Sequence, residues 1–154
     1  PPDHTRLRGL VAKGFTAARI EGLRPRIKEI AEELIDRVQA QGQMEVVADY
    51  AYYLPVTVIA ELLGVPVEDH PRFRAWTTTL MTPPADGNMD PIRAAGFEFF
   101  QYLMGLVESR RAAPKDDFIG ALVLAEEDGQ KLDTQELISM LFLLLMLPLV
   151  LERV

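Results

Sequence analysis

The chain opens Pro1-Pro2-Asp3-His4-Thr5-Arg6-Leu7-Arg8, and this places His4 and Arg8 four residues apart. On a helix, positions i and i+4 share one face, so an imidazole and a guanidinium at that spacing reach a single anionic group together. A solvated His/Arg pair near a helix start satisfies the same spacing with no ligand at all. The other histidine, His70, sits in Glu68-Asp69-His70-Pro71 and reads as a surface turn residue; a lone imidazole without convergent ligands is not a metal site. Glu126-Glu127-Asp128 lacks the EF-hand spacing and reads as a solvated helix end, and Asp116-Asp117 reads as a helix N-cap. There is no Gly-x-Ser-x-Gly, no phosphate loop and no Gly-x-Gly-x-x-Gly. Cysteine is absent, which excludes disulfides, zinc-thiolate sites, iron-sulfur clusters and cysteine nucleophiles. These residues nominate no catalytic group and no metal site.

The elements that must position His4 and Arg8 are helical. Apolar residues at Ile27, Ile30, Ala31, Leu34, Ile35 and Val38 give the stripe of an amphipathic helix over residues 24–41, with Gly42 placed to stop it. Residues 44–47 form a short apolar run that could be one strand, although nothing obvious pairs with it. Asp49 starts a helix that ends at Gly64, with Pro55 expected to kink or break it. Residues 68–81 form a shorter helix with Phe73, Trp76 and Leu80 inward. Pro83, Pro84 and Gly87 make a loop.

Asp90-Pro91 then opens a helix reaching about Arg111, with Phe97, Phe100, Leu103, Met104 and Val107 on its inward side. Asp116 or Asp117 caps the next helix, which carries Phe118, Ile119, Leu122 and Val123, and Asp128-Gly129 reads as a tight turn. Asp133 and Glu136 resemble a capping box ahead of residues 137–147, which are apolar on all sides and read as a central core helix. That run is shorter than the roughly 20 residues a bilayer requires, and Pro148 interrupts it.

The chain has 154 residues, 49% of them hydrophobic and 25% charged, which is enough for one globular helical domain over 1–154. A net charge of -7 argues against nucleic acid and against an anionic membrane surface as partners. Zero cysteines fit a reducing cytoplasm. The opening without methionine suggests an excised or processed piece.

Several segments, in order, resemble one family. The opening eight residues look like the start of helix C in bacterial cytochromes P-450. Phe15-Thr16-Ala17, Ile20 and Leu23-Arg24-Pro25 resemble that family's turn into helix D. Leu54-Pro55-Val56-Thr57-Val58-Ile59-Ala60-Glu61-Leu62-Leu63-Gly64-Val65-Pro66 resembles helix E and the turn after it, and is the most specific match. Asp117-Phe118-Ile119 through Asp128-Gly129 resembles helix H, and residues 132–145 resemble the entry to helix I.

The resemblance implies an all-α fold, an orthogonal helical bundle like the central helical region of a cytochrome P-450 with little or no sheet. It also implies a haem cofactor whose propionates are held by His4 and Arg8, and a lid whose substrate-facing end is Thr79, Leu80 and Met81; ordinary core packing or loop entry accounts for those three residues as well, and better, because apolar helix ends usually pack inward. The activity implied is haem-dependent monooxygenation of a small organic substrate, fed by a ferredoxin-type redox partner. The departures weigh against activity in this chain alone. Helix I of the family continues into an Ala/Gly-Gly-x-x-Thr segment, whereas Leu145 is followed here by Met146-Leu147-Pro148. Residues 146–154 faintly resemble the start of helix K, which would set Arg153 where the family has a glutamate. No cysteine is present to supply the axial thiolate. The alternative is a truncated or rearranged helical protein that self-associates as a homo-oligomer without cofactor.

Overall fold

The computed structural model describes the backbone of residues 2–82, 84–127 and 130–151, and the side chains of 7–47, 49–82, 84–125 and 131–145. Seven α-helices make up the described fold: α1 (Pro2–Gly14), α2 (Ala17–Gln39), α3 (Tyr53–Leu62), α4 (His70–Met81), α5 (Asp90–Ala112), α6 (Phe118–Leu124) and α7 (Thr134–Leu151). The one sheet is a two-residue antiparallel pairing of β1 (Glu126–Glu127) with β2 (Gln130–Lys131). The architecture is all-α, with α2 packed on α3, α4 on α5, α6 on α1 and α5, and α7 across α3 and α5.

Local chemistry explains where the helices start. Thr16 Oγ1 accepts the Arg19 amide at 3.2 Å, so α2 opens at Ala17, well before residue 24. Pro25 therefore lies inside α2, and no turn occurs at residues 23–25. Gly42 takes φ +68 just past the end of α2, as a stop residue should. Ile30 and Leu34 are buried, but Ile35, expected in the stripe, is about half exposed. Residues 44–47 form no strand. Residues 46–51 instead make one π-helical turn, in which Asp49 accepts the Glu45 amide at 2.9 Å. A lone strand leaves its backbone groups unpaired, whereas this turn satisfies them locally.

Pro55 is the third residue of α3, where its missing N–H costs little, so the helix begins just before it instead of breaking there. A 3₁₀ turn, Val67–Asp69, leads into α4, which buries Phe73 and Trp76 as expected and half-buries Leu80. In α5 the buried side carries Ala95, Phe99, Leu103, Leu106, Val107 and Arg110. Phe97 is 65% exposed and Phe100 42%, so the expected inward face is turned by about one residue, or ~100°. The reason lies in α4: the Phe73 and Trp76 rings close on Phe99 at 5.4 and 5.8 Å and fix the rotation of α5. Asp90 is not its cap residue; its amide is taken by Asn88 Oδ1 at 3.0 Å.

The start of α7 is a reciprocal capping box. Asp133 Oδ1 accepts the Glu136 amide at 2.7 Å, and Glu136 Oε2 accepts the Asp133 amide at 3.0 Å. Leu137, Ile138, Leu141 and Leu145 are buried, whereas Phe142 is 38% and Leu143 68% exposed. The helix is thus not enclosed on all sides, because α3 and α5 cover only one face of it. Its backbone continues through Pro148 to Leu151. The Asp128-Gly129 turn, Arg153 and the side chains of the helix K-like stretch lie outside the described residues. Among the described residues, no helix is long and apolar enough to cross a membrane.

One buried cation joins three helix ends. Arg110 on α5 is 4% exposed; its Nε donates to Asp117 Oδ2 at 2.5 Å and its Nη2 to the Gly64 carbonyl at 2.9 Å. Asp117 Oδ1 meanwhile accepts the Gly120 amide at 2.8 Å and caps α6. Gly64 holds φ +73, and a Cβ there would overlap the Asp117 carboxylate. Removing one member of a buried pair leaves the other charge unpaired, at a cost of about 3–5 kcal/mol. Arg110→Ala is therefore expected to lower stability by about that amount in urea denaturation, with Asp117→Asn, which keeps the cap acceptor, costing less. Equal and small losses from both would show that the clasp contributes little.

Candidate functional site

The described fold leaves a groove of about 880 Å³ between α1 and α7. Both walls are fixed by contacts behind them. On the α1 side, the Phe15 and Phe118 ring centroids lie 4.6 Å apart, and a Cβ on Gly14 would come within 2.6 Å of the Phe118 ring. Arg19 Nη1 donates to the Gly14 carbonyl and its Nη2 to Asp116 Oδ1, both at 3.0 Å, clamping the end of α1 to the loop before α6. On the α7 side, the capping box sets the first turn, and Arg111 Nη2 donates to the Leu132 carbonyl at 3.1 Å just ahead of it.

The groove is mainly apolar. Leu7, Val11 and Phe15 line one side and Met140, Leu143 and Leu144 the other. Arg8, Asp133, Gln135, Glu136 and Ser139 supply its polar groups. Arg8 is exposed and has no hydrogen-bond or ion-pair partner among the described residues. His4 lies one turn earlier on α1, so the backbone keeps the i, i+4 relation, while its side chain is outside the described residues.

The remaining sequence candidates lie elsewhere. Thr79, Leu80 and Met81 end α4, and none of them lines the groove. Thr79 Oγ1 donates to the Ala75 carbonyl at 3.0 Å, and Leu80 and Met81 are half-buried against the core. His70 is not a surface residue. It is 9% exposed, and its Nε2 donates to the Val65 carbonyl at 3.1 Å, because the turn at Gly64 folds the chain back over the first residue of α4. A carbonyl only accepts, so the proton sits on Nε2. Asp116 pairs with Arg19, and Asp117, not Asp116, is the cap. The side chains of the 126–128 acids lie outside the described residues. Among the described residues, no group of three potential metal ligands converges.

Sequence reading missed the polar links between helices. Arg26 bonds Glu61 on α3 and also reaches Glu29 and Glu33; the Glu61 bond is the main cause that pushes its guanidinium still further above its ordinary range. Tyr102 donates to Asp69 Oδ2 at 2.8 Å. Burial, and then the Asp69 carboxylate, push its phenol well above the ordinary range. The signals were faint: Tyr102 and Asp69 lie 33 positions apart and Arg26 and Glu61 35, and all four are ordinary surface residue types.

A phenol with a raised folded pKa contributes stability that is intact below its unfolded pKa and lost as pH rises above it. Spectrophotometric titration at alkaline pH should accordingly show one of the four tyrosines ionising late. Tyr102→Phe should remove that late phase, and should flatten the loss of stability above about pH 10. A late phase that persists in the variant would assign the shift to another tyrosine.

No family model matches the chain. Individual relatives do. Cytochrome P450 107B1 of Saccharopolyspora erythraea is 46% identical over 146 residues, covering 94% of this chain and 35% of the relative. The polyketide biosynthesis cytochrome P450 PksS of Bacillus subtilis is 46% identical over 143 residues, covering 93% and 35%. Among solved structures, the mixed-function P450 MycG superposes with a TM-score of 0.88 at 43% identity, covering 95% of this chain and 37% of that one. The chain thus spans about a third of the length of the relatives it matches. Over that span it is homologous to bacterial cytochromes P450, and its helices have their arrangement.

Proposed function

We propose that this chain forms the central helical part of a haem-thiolate monooxygenase, with His4 and Arg8 holding the carboxylate edge of the haem. The observation that carries the reading is the position of Arg8: an exposed guanidinium, unpaired among the described residues, at an apolar groove in a chain homologous to cytochromes P450. His4 and Arg8 would hold the carboxylates of that cofactor, and this chain would not supply its thiolate, since no cysteine is present. Haem, when bound, supplies the iron whose thiolate ligand favours O–O cleavage. This chain's part is to bind and orient. Arg8 offers a bidentate fork to one carboxylate, the groove walls exclude water, and the α4 end at Thr79, Leu80 and Met81 faces the substrate, a small organic molecule. With its hydroxyl proton given to Ala75, Thr79 can only accept from such a substrate. A ferredoxin-type protein supplies electrons in this reading, and the compartment is the cytoplasm, which the lack of cysteine suits.

The chain alone does not turn over substrate, because it has no thiolate to give. Haem titration followed by absorption tests both parts. Arg8→Ala should weaken haem affinity roughly ten- to a hundred-fold, matching about 1.5–3 kcal/mol for a charged hydrogen bond, and the reduced carbonyl complex should lack a thiolate-type band. Unchanged affinity in the variant rules out the carboxylate assignment, and turnover by chain, haem and reductase rules out inactivity.

A second, non-enzymatic reading is favoured by one observation, the exposure of Phe142 and Leu143 on α7. Large apolar side chains side by side in water mark an interface, and the simplest is a two-fold homodimer. Sedimentation at micromolar concentration should then show a dimer that Leu143→Glu converts to a monomer; a monomer in both cases removes this reading.

A further inference from the structure

We propose that a notch between the last turn of α2 and α4 binds a phosphate group through Arg37 and Arg74. It shares no lining residue with the groove between α1 and α7 and does not rest on the haem reading. Its volume is about 250 Å³, below the roughly 300–1,000 Å³ of drug-sized sites and suited to a group of few heavy atoms. Arg74 is held there without using its donors. Thr78 Oγ1 donates to the Arg74 carbonyl at 2.9 Å, so the Tyr52 hydroxyl, 2.8 Å from Thr78 Oγ1, donates to it. That bond fixes the Tyr52 ring, which meets the Tyr53 ring edge-on at 5.8 Å. The Arg74 guanidinium lies over the Tyr53 ring, 4.6 Å from its centroid, and closes the circle. Attraction to a ring face uses the charge of a guanidinium and none of its N–H groups.

The donors on both walls lack acceptors. Neither the Arg74 nor the Arg37 side chain makes a hydrogen bond or ion pair among the described residues. The charged groups lining the notch are these two guanidiniums and one carboxylate, Asp49, whose Oδ2 already accepts the Glu45 amide at 2.9 Å. Two further acids, Glu33 and Glu61, line the adjoining cavity, and both are bonded to Arg26. Gln41 adds a side-chain amide to the notch. The π-helical turn at 46–51 carries Asp49 and leads into Tyr53, and such turns are uncommon and frequent at functional sites. Two forks on different helices select the shape of the anion. A carboxylate fills one fork with its two oxygens, whereas a phosphate has three or more to spread over both.

Calorimetric titration of the whole chain with inorganic phosphate, phenyl phosphate and acetate, at constant ionic strength and without haem, tests the site. Phosphate should bind one per chain, with acetate roughly tenfold weaker. Arg37→Gln and Arg74→Gln should each weaken phosphate roughly ten- to a hundred-fold. Arg24→Gln removes an equal charge from α2, where Arg24 pairs with Glu21, and should leave phosphate binding unchanged. Tyr53→Leu should weaken it about two- to five-fold by freeing Arg74, with Tyr53→Phe, which keeps the ring, recovering the loss. Phenylglyoxal labelling of the unmodified chain, read by mass spectrometry, should show phosphate protecting Arg37 and Arg74 and leaving Arg24 reactive. Tighter binding of phenyl phosphate than of phosphate identifies a small ester as the ligand, and equal or weaker binding identifies the free ion. The proposal is overturned if phosphate does not bind saturably, if acetate matches it, if Arg37→Gln or Arg74→Gln leaves it unchanged, if Arg24→Gln weakens it as much, or if phosphate protects neither Arg37 nor Arg74. Circular dichroism checks each variant, and where one fails to fold the labelling decides.

Discussion

A guanidinium buried at the end of α5 governs how the bundle is assembled. Arg110 has two fixed acceptors, the Asp117 carboxylate and the Gly64 carbonyl, and each belongs to a different helix end. A charge that is 4% exposed must have such partners, since desolvation without them costs several kcal/mol. The consequence is geometric. The end of α3, the end of α5 and the start of α6 cannot move apart without stranding the cation. Glycine at 64 follows from the same demand, because φ +73 and the closeness of the carboxylate both exclude a side chain.

The constraint reaches the groove by two routes that start at adjacent residues. Through Asp117, Arg110 fixes the first turn of α6, and that turn carries Phe118. Phe118 packs on Phe15 and closes over Gly14, so it determines where α1 ends and hence where Arg8 points along the groove. Arg111, next in sequence, bonds the Leu132 carbonyl and holds the chain just before the capping box of α7. Two consecutive arginines on α5 therefore locate both walls of a site that neither of them lines. Packing density makes this transmission stiff, since a shift of Phe118 has no void to be absorbed in where a Cβ on Gly14 would already sit at 2.6 Å.

How much of this was legible in the sequence depends on the range of the interaction. Features decided within four residues could be read: the Asp117 cap, the Asp133/Glu136 box, the stop at Gly42, and the i, i+4 relation of His4 and Arg8. Helix rotation could not. On α5, a periodicity count gives Phe97 and Phe100 the same weight as Phe99, and only the Phe73 and Trp76 rings of another helix favour Phe99. The 44–47 run failed as a strand for a related reason, because a strand needs a partner and a π turn does not. His70 looked like a surface residue because its acceptor is a backbone carbonyl, which leaves no trace in a sequence pattern. The groove itself was invisible, being space between two helices that pack on different neighbours.

The composition of α7 carries the last step. A helix that met only α3 and α5 would need apolar residues on one face, with polar residues suiting positions such as 142 and 143. Phenylalanine and leucine stand there instead, 38% and 68% exposed. Burying a side chain of this kind contributes about 1.5–3 kcal/mol, which the described fold leaves mostly unused at Leu143 and partly unused at Phe142. Polar groups do occur where α7 meets water at its start, in Asp133 just ahead of it and Gln135, Glu136 and Ser139 in its first two turns, so the helix is not apolar by default. The change from polar to apolar along one side of α7 matches a surface that is wet at its start and covered further on. Arg8 lines that same groove. An apolar wall joined to an arginine that is unpaired among the described residues suits a covering body that is itself apolar with an anionic edge.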